Sequence, residues 1–434
     1  MTERLECDTL NRFSTMMFTA LICLGLNFSG QNLIDDVQKR AVSFFWNESN
    51  PKTGFTKDRA SNGDAPDTHT VASCAAVGYA LVAYPIGVEH KWLTRTDALE
   101  RTRLTLSHLL TDWSQSHGWL YHFADWSTGE RQWKSEASSI DTSLCLAGII
   151  AAERYWHDPE VTRDAEKFES RIDWKWMLTD GGSKPEAVHL CMGWHPEDGF
   201  IKARWSDFNE GKFLYIQAYG LSDITNAGWD KIHRPQETYK GIDFITGGPI
   251  FMHEMSEGFY DFRGQRDRLG YDYSIEEKHA ALANRAYCID NPKKFKGYSP
   301  DFWGLNACDG PDGYGAFGAP GWISDDGTVC PTGPLAAMNA IPDEATTFAV
   351  SLRKDYPAAW GKYGFPDSLN PTRNWIDSDV LGIDLGMMLC STENHRNGFV
   401  WKLTEQTLVK QRGFERAGFK PSGNHTDLKA PSLK

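Results

Sequence analysis

Cysteine is scarce in this chain and is never paired at short spacing. Nine cysteines occur among 434 residues, with no C-x-x-C motif and no zinc-type spacing, so we expect no structural metal site. Removal of an N-terminal leader would take Cys7 and Cys23 and leave seven, an odd number that cannot pair completely. We therefore expect mostly buried thiols and at most one or two disulfides.

Positive charge is also in short supply. The chain has 45 Lys and Arg against 58 Asp and Glu, a formal net charge of −13. This balance, without a basic stripe, argues against nucleic acid or an anionic membrane surface as a partner and favours a neutral one. No apolar run reaches the roughly 18 to 20 residues needed to cross a bilayer, so we expect no membrane integration.

The one short apolar stretch near the N-terminus is Met16–Leu26, which follows Arg12. Its length is typical of the hydrophobic region of a secretory signal, so we predict a leader over residues 1–30 and a periplasmic or secreted location. Two features weaken this prediction. Acidic residues dilute the first eight positions, and Asn27–Gly30 lacks an A-x-A cleavage pattern.

Strict alternation of apolar and polar residues is rare, whereas helical periodicity recurs between long loops rich in Gly, Trp and Asp. Small apolar segments such as Val71–Gly78 alternate with amphipathic ones such as Arg95–Leu110. This alternation predicts an all-α toroid of inner and outer helices, although an irregular helical bundle with a small sheet fits the pattern too. We predict one domain over residues 31–412 and a frayed polar tail over 413–434. Helices are predicted at 33–45, 70–84, 94–110, 139–155, 161–177, 210–219, 275–288, 342–353 and 383–390.

Several catalytic signatures are missing. The chain has no G-x-S-x-G elbow, P-loop or H-E-x-x-H motif. Gly313–Gly318 matches G-x-G-x-x-G, but a turn cluster rather than an apolar strand precedes it, so we reject a nucleotide site and expect no cofactor.

Aromatic residues are abundant, with 17 Trp, 15 Tyr and 23 Phe, and many lie beside Gly, Asp or Asn. Flat rings in such settings suit the C–H faces of sugars, although most of them are equally explained as core side chains. The composition favours a site lined with rings.

Carboxylates lie where predicted helices meet these aromatic loops. Asp141 falls in the first turn of a helix that Ser138 or Ser139 can cap, where the helix dipole favours an ionised acid. Glu136 lies just before that helix. Both residues are candidate catalytic acids, and the alternatives are an ordinary helix-start acid and a surface acid.

A second candidate, Glu210, begins an apolar helix after Trp205 and Phe208. A carboxyl among rings is desolvated, which raises its pKa and suits it to act as a general acid. The alternative explanation for this segment is helix capping by Asp207 or Asn209. Such a cap does not account for the presence of Glu210.

The segment from Phe251 to Arg263 is dense in polar groups within an aromatic frame. His253, Glu254 and Arg263 are its candidates for a substrate pocket. A buried hydrogen-bond network in the core is the equally weighted alternative.

Several separated motifs together resemble the glucoamylase-like domain of glycoside hydrolase family 144 and of cyclic β-1,2-glucan synthases. The resemblance extends from about Leu33 to Trp401. Its motifs are Thr70–Leu81, Ser138–Thr142, Gly248–Ser256, Tyr260–Gly264, Ala281–Asp290, Trp303–Pro311, Asp325–Thr332, Tyr363–Ser368, Gly382–Gly386 and Glu393–Trp401.

The resemblance implies an (α/α)6 barrel and an anomer-inverting endo-β-1,2-glucanase that releases sophorooligosaccharides. It implies that Asp141 and Glu210 are the catalytic carboxylates, with Glu136 and Asp384 as further candidates. The implied partner is a neutral glucan, and we expect a monomer. The residues assigned to substrate binding are Arg59, Trp205, His253, Glu254, Arg263, Trp303, Tyr314 and Asp384.

Three other activities are compatible with the same fold. The first is an exo-acting glucan hydrolase, or a hydrolase or transglycosylase that acts on a different glucan linkage. The second is a protein that binds oligosaccharides without catalysis. A polysaccharide lyase is the third, but it would require a Tyr or His base and cations for an acidic sugar. The acidic balance and paired carboxylates disfavour the lyase.

Overall fold

The computed structural model describes residues 30–64, 66–246 and 248–422. Apart from Gly30, the predicted leader lies outside the described residues, as do Cys7, Cys23 and the last twelve residues of the predicted tail. Among the described helices, none combines the length and apolar character needed to span a membrane.

The described chain is mostly helical, as predicted. The first helix, α1, spans residues 30–47. The other α-helices are α2 Cys74–Glu89, α3 Arg95–Thr111, α4 Ser139–Trp156, α5 Pro159–Arg171, α6 Trp174–Thr179, α7 Gly211–Leu221, α8 Ala227–Lys231, α9 Phe251–Glu257, α10 Tyr273–Asp290, α11 Thr332–Ala336, α12 Pro342–Asp355, α13 Gly382–Asn397, α14 Phe399–Thr404 and α15 Phe414–Ala417, with a 3-10 turn at Ala337–Asn339 and a π-helical turn at Val409–Gly413.

Six of these helices pack in sequence around the centre of the molecule. In the order α2, α4, α7, α9, α11 and α13, each contacts the next, and α13 contacts α2 again. Helix α2 is buried on nearly every side. It approaches α4 closely because Gly78 and Gly148 face each other, and a Cβ on either would collide with the other helix's backbone. We call these six the ring helices.

Amphipathic helices form a second layer outside this ring. Helix α3 packs against α2, α4 and α5, α10 packs against α9, and α12 packs against α11. Helix α5 buries only one stripe, which includes Val161, Ala165 and Phe168. The predicted alternation of buried and half-buried helices is therefore confirmed in the described chain.

Short strands lie in the loops and lead directly into ring helices. Val71–Ser73 pairs with Phe123–Asp125, so α2 begins at Cys74 rather than at residue 70 as predicted. The strands are β1 Arg59–Ser61, β2 Val71–Ser73, β3 Gln115–Ser116, β4 Trp119–Leu120, β5 Phe123–Asp125, β6 Ala137–Ser138, β7 Gly193–His195, β8 Gly199–Phe200, β9 Gln236–Tyr239, β10 Ile242–Ile245, β11 Gln265–Arg266, β12 Ala307–Cys308, β13 Gly315–Ala316, β14 Leu369–Asn370, β15 Trp375–Ile376, β16 Asp379–Leu381 and β17 Lys420–Pro421. Their antiparallel pairs are β1–β16, β2–β5, β3–β4, β6–β7–β8, β9–β10, β11–β17, β12–β13 and β14–β15.

The predicted helix 161–177 is two helices. Helix α5 ends at Arg171, and Asp173 caps α6 by accepting a hydrogen bond from the Trp176 backbone N–H at 2.9 Å. A side-chain cap of this kind starts a new helix because it satisfies an otherwise free N–H group.

Residues 413–422 extend the folded domain beyond its predicted end at residue 412. Phe414 and Phe419 are buried, and Lys420–Pro421 pairs with Gln265–Arg266. The Arg416 guanidinium donates to the backbone carbonyl of Tyr219 at 3.0 Å. The polar composition of this segment hid its two buried rings, so the prediction of a frayed tail from residue 413 needs correction.

Candidate active site

The N-terminal ends of the ring helices bring most of the predicted acids together. Asp141 lies in the first turn of α4, Glu210 directly precedes α7, Glu254 lies in the first turn of α9, and Asp384 lies in the first turn of α13. The charge of Asp141 acts on Glu210, and that of Asp384 acts on Glu254. The ring thus gathers carboxyls from four helices at one end.

Asp141 is buried and firmly positioned. Ser138 caps α4 by accepting a hydrogen bond from the Asp141 backbone N–H, and its hydroxyl donates back to the Asp141 carboxylate at 2.6 Å. The predicted cap is confirmed. A third contact comes from His122, whose Nε2 lies 3.5 Å from Asp141 Oδ1.

His122 connects the two predicted acids of this segment. Its Nδ1 lies 3.2 Å from Glu136 Oε1, and its ring stacks on Phe123 with centroids 3.8 Å apart. Burial opposes a charge on this imidazole, but Asp141 and Glu136 outweigh burial and raise its pKa to about 9. Burial by itself would raise the pKa of Glu136, but the contact with His122 outweighs burial and lowers that pKa. Sequence analysis missed His122, because it lies in a separate segment, directly before β5, with no motif around it.

The pKa of Glu210 shifts in the opposite direction from that of Glu136. Burial, followed by the negative charge of Asp141, raises its pKa to about 7. Its Oε2 is buried and has no hydrogen-bond partner in the described structure. Glu210 is therefore a carboxyl that can carry a proton near neutral pH beside an acid on the neighbouring helix, which confirms the predicted effect of its apolar surroundings on its pKa.

Trp205 holds the two helix starts together and offers no open face. It is buried, its Nε1 donates to Ser139 Oγ at 2.8 Å, and its ring packs against Gly211. We therefore correct its assignment from substrate binding to positioning. In contrast, the side chain of Asp207 is 67% exposed and pairs with His233 at 3.3 Å.

A second acidic group lies beside α13. Asp384, Asp367 and Cys330 offer donor atoms within 4.8 Å of one another, and Asp367 forms a similar group with Asp309 and Asp377. Burial and neighbouring acids raise the pKa of Asp367, and burial followed by the Cys330 thiol raises that of Asp384. Either triad has the reach to hold a cation or to accept hydrogen bonds from sugar hydroxyls.

Arg59 and Tyr314 border this second group, as their assignment to substrate binding requires. Arg59 Nη1 lies 2.6 Å from Asp309 Oδ2. The Tyr314 side chain is 60% exposed, and loss of water around its hydroxyl, followed by the charges of Asp384 and Asp367, raises its pKa. Sequence analysis treated Asp309 only as part of a turn and did not single out Asp367.

The polar residues of α9 belong largely to the core. His253 is buried and its Nε2 lies 3.0 Å from the Ile245 carbonyl, while burial and then Lys212 lower its pKa to about 3. Lys212 Nζ in turn lies 3.1 Å from Glu257. The core-network alternative therefore holds for His253. Glu254 is also buried, and burial, followed by the negative charge of Glu277 and of further acids that include Asp384, raises its pKa.

Arg263 lies at the opposite end of the ring from these acids. It follows the C-terminal end of α9, pairs with Asp261 at 2.7 Å, and stacks on Trp401, which follows the C-terminal end of α13. Its predicted place in the substrate pocket is therefore wrong. Nothing in the sequence indicated at which end of α9 this segment emerges.

The assignment of Trp303 to sugar binding is wrong, because its side chain is 0% exposed and packs against Phe348. The exposed rings are different ones. Trp133 is 64% exposed and lies 5.0 Å from the ring of Phe123, next to His122, and Trp322 is 48% exposed. With Tyr314, these two rings are the aromatic surfaces available to a sugar near the acids.

Comparison with known proteins shows which sequences and structures this chain resembles. Residues 202–407 match the family model described as "Putative glucoamylase". An exo β-1,2-glucooligosaccharide sophorohydrolase (non-reducing end) of Parabacteroides distasonis is 24% identical over 427 residues, covering 89% of this chain. The chain spans only 58% of the length of that relative.

Two solved structures share the fold over nearly the whole chain. A Bacteroides uniformis protein with the same glucoamylase description is 29% identical, with a TM-score of 0.82, covering 90% of this chain and 98% of its own. An endo-β-1,2-glucanase of Chitinophaga pinensis, in complex with sophorotriose and glucose, is 25% identical with a TM-score of 0.81 and the same coverage of both chains. The chain thus matches a glucoamylase family model over residues 202–407 and resembles β-1,2-glucanases in sequence and fold.

Proposed function

We propose that this protein is a glycoside hydrolase that cleaves β-1,2-glucan, with Glu210 as general acid and Asp141 as base. The observation that carries the proposal is the pair itself. A protonatable carboxyl with a pKa of about 7 lies under the influence of a second, well-positioned carboxylate on the next ring helix. Glycosidic bond cleavage requires one carboxyl that gives a proton and one that stays ionised.

The neighbouring side chains support these roles. Glu210 delivers its proton to the glycosidic oxygen, and Asp141 activates a water molecule on the opposite face of the sugar ring. The His122 imidazole, whose pKa is raised to about 9, lies 3.5 Å from the Asp141 carboxylate and holds positive charge beside it at neutral pH. Glu136 holds the His122 ring in place through its Nδ1 contact.

The overall architecture we propose for this site is an (α/α)6 barrel. Its support is the closed order of contacts among six ring helices and the layer of amphipathic helices outside them. The acids then line one mouth of the barrel, and a glucan chain enters from that side.

The proposed linkage rests on the similar proteins, which act on β-1,2-glucan or its oligosaccharides. We propose endo action, as in the Chitinophaga pinensis glucanase, which is similar over 90% of this chain. Release of sophorose from the non-reducing end is the second candidate, because the Parabacteroides distasonis relative has that activity.

A panel of β-1,2-, β-1,3-, β-1,4- and α-1,4-glucans, followed by chromatography of the products, tests this proposal. We expect new reducing ends from β-1,2-glucan alone, as a ladder of oligosaccharides for endo action or as sophorose alone for exo action. Products that absorb ultraviolet light would indicate a lyase. Binding without any product would indicate an oligosaccharide-binding protein.

The pH dependence of kcat/KM should follow Glu210. Because its pKa is about 7, the carboxyl carries its proton below that pH and loses it above, so we expect activity to fall as pH rises through about 7. Initial rates from pH 5 to 9 measure this basic limb. A profile that stays flat to pH 9 would exclude Glu210 as the acid.

The stereochemistry should be inverting. An inverting hydrolase needs roughly 6.5–9.5 Å between its two carboxyl groups to admit a water, against about 5–5.5 Å for a retaining one. The short side chain of Asp141, on a different ring helix from Glu210, favours the wider gap. We expect proton NMR to show the α-anomer as the first product of a β-linked glucan. The β-anomer would make one carboxyl a nucleophile.

We further propose that the protein is exported and acts as a monomer on a neutral glucan. The signal-like stretch Met16–Leu26 supports export, and the net charge of −13 supports a neutral substrate. N-terminal sequencing of the protein from its native cell and light scattering of the purified chain test them.

A further inference from the structure

Three aspartates of the second acidic group lie together without belonging to the proposed catalytic pair. Asp309, Asp367 and Asp377 each offer a carboxylate oxygen, and the three oxygens lie within 4.8 Å of one another. They come from separate segments of the chain. Asp309 follows β12, Asp367 lies shortly before β14, and Asp377 lies between β15 and β16. We call these three residues the aspartate cluster.

Hydrogen bonds to the backbone hold the three segments together. Asp367 Oδ2 accepts a hydrogen bond from the Asp309 backbone N–H at 2.8 Å. The Asp377 backbone N–H donates to the Ser368 carbonyl at 3.0 Å, and the Asp367 backbone N–H donates to the Asp379 carbonyl at 2.9 Å. The Ser368 hydroxyl donates to the Asp309 carbonyl. The backbone therefore brings the three carboxylates together, whatever their individual rotamers.

Two of the carboxylates carry a buried oxygen without a partner. Asp367 Oδ1 and Asp377 Oδ2 make no hydrogen bond to any described residue. The other oxygen of each side chain is held by a backbone N–H, from Asp309 at 2.8 Å and from Asp379 at 3.2 Å. A buried carboxylate oxygen without a donor is costly, so a folded protein normally supplies it with a partner. These two oxygens indicate a missing ligand at the cluster.

The charges of the region indicate that this ligand is positive. Arg59 Nη1 lies 2.6 Å from Asp309 Oδ2. One guanidinium against three carboxylates leaves two negative charges, and Asp384, next to Asp367, adds to them. A divalent cation neutralises such an excess. Asp309 still has its second oxygen, Oδ1, to offer as a ligand.

The donor atoms favour calcium over other divalent cations. Ca²⁺ takes oxygen ligands at about 2.3–2.6 Å in irregular geometry, so two ligands of one ion lie up to about 5 Å apart. The aspartate cluster offers only oxygens and meets this limit. The neighbouring group of Asp367, Asp384 and Cys330 includes a thiol, a soft ligand that does not suit Ca²⁺.

A cation can reach the cluster from solvent. Asp377 lines a cavity of about 490 Å³, whose wall also includes the exposed Asp64. The Asp309 side chain is 14% exposed. Asp367, in contrast, is only 3% exposed, which leaves no room for a sugar ring against it. An ion is small enough to contact all three side chains.

We propose that Asp309, Asp367 and Asp377 bind a calcium ion, with water completing its coordination. The ion joins three separate segments of the chain and fixes Asp309, and with it Arg59, at the edge of the proposed substrate site. The inference concerns binding and stability and does not depend on the proposed activity. The expectation of no structural metal site rested on cysteine spacing, which bears on zinc rather than on calcium.

Calorimetric titration of the full chain with CaCl₂ tests the site. The protein is first treated with EDTA and dialysed into chelator-free buffer at pH 8. We expect one ion per chain with a Kd of about 10⁻⁵ to 10⁻³ M, within the range of natural calcium sites. Calcium at about 100 times the Kd should raise the Tm by about 3 °C. MgCl₂ at the same concentration controls for ionic strength and should shift the Tm less, because Mg²⁺ demands near-ideal octahedral geometry.

Asp377→Asn removes one charged ligand and keeps the shape of the side chain. We expect it to weaken calcium binding by about tenfold or more and to lose most of the Tm shift. Without calcium, this variant should be at least as stable as the wild type, because it removes repulsion among the carboxylates. Asp64→Asn is the matched control. It removes an acid that lines the same cavity but lies outside the aspartate cluster, and it should bind calcium like the wild type.

Two results would overturn the proposal. One is a wild-type chain that gives neither binding heat nor a Tm shift with calcium up to about 10 mM, ten times the weakest Kd expected. The other is a Tm shift that MgCl₂ reproduces in full or that survives in Asp377→Asn, since the effect would then come from charge screening or from another site. The first measurement uses the wild-type chain, so it decides even if Asp377→Asn fails to fold.

Discussion

Glu210→Gln is expected to lower kcat on β-1,2-glucan by about 10³-fold, within the usual range for loss of a general acid. Glutamine has the same shape as glutamic acid but cannot give a proton to the glycosidic oxygen. The loss should therefore appear in kcat, with KM little changed. Initial rates on defined β-1,2-gluco-oligosaccharides measure both constants.

The same substitution should stabilise the fold at alkaline pH. The pKa of Glu210 is about 7 in the folded protein against an ordinary 4.5, so its ionisation costs folding free energy. Stability from this group is therefore lost as pH rises from about 4.5 to 7. Removing the titration should raise the free energy of unfolding at pH 8 by about 3 kcal/mol. A variant that is both inactive and more stable cannot be explained by misfolding.

Asp207→Asn is the matched control for Glu210→Gln. It removes a carboxylate three positions earlier on the same segment, but that side chain is exposed and contacts only surface partners, His233 and the Ser206 hydroxyl. We expect wild-type activity from it. Near wild-type activity in Glu210→Gln itself would remove Glu210 from the mechanism.

Asp141→Asn should also reduce kcat by about 10³-fold, for a different reason. The asparagine side chain can still accept the hydrogen bond from Ser138, but it cannot take a proton from water. It also removes a negative charge that raises the pKa of Glu210. Any remaining activity should therefore lose its basic limb at a lower pH than in the wild type. A pH series of kcat/KM for both proteins measures the shift.

Two further variants separate the base from its neighbours. Asp97→Asn changes another first-turn acid, on α3, that follows a Thr94 cap just as Asp141 follows Ser138, and we expect no loss of activity. Glu136→Gln should cost only about tenfold, because Glu136 acts through His122 rather than on water. A larger loss in Glu136→Gln than in Asp141→Asn would make Glu136 the base.

Sequence analysis predicted features that depend on local chemistry. The Ser138 cap fixed the start of α4 and hence the depth of Asp141 in its first turn. The apolar residues around Glu210 predicted a desolvated carboxyl, and its raised pKa agrees. Such features need only neighbouring residues, so they survive whatever the rest of the chain does.

Predictions that depended on distance in space were less reliable. Trp303 and Trp133 both stand among polar residues, yet one is in the core and the other is the most exposed tryptophan in the described structure. Arg263 is ten positions from His253 but emerges at the other end of the ring. Helix α9 lies between the two polar segments and is long enough to place them at opposite ends of the ring. The sequence alone does not say which of these ends faces the acids.

The sequence by itself determined the helical layers, the capped helix starts and the carboxyls that these starts present, because periodicity and capping act within a few residues. Only the tertiary structure decided which of these groups meet. His122 joined Asp141 and Glu136, and Asp367 joined Asp384 on one side and Asp309 on the other. The first meeting comes from pairing of the strands before α4, and the second from packing that brings the segments around residues 309, 367 and 384 together.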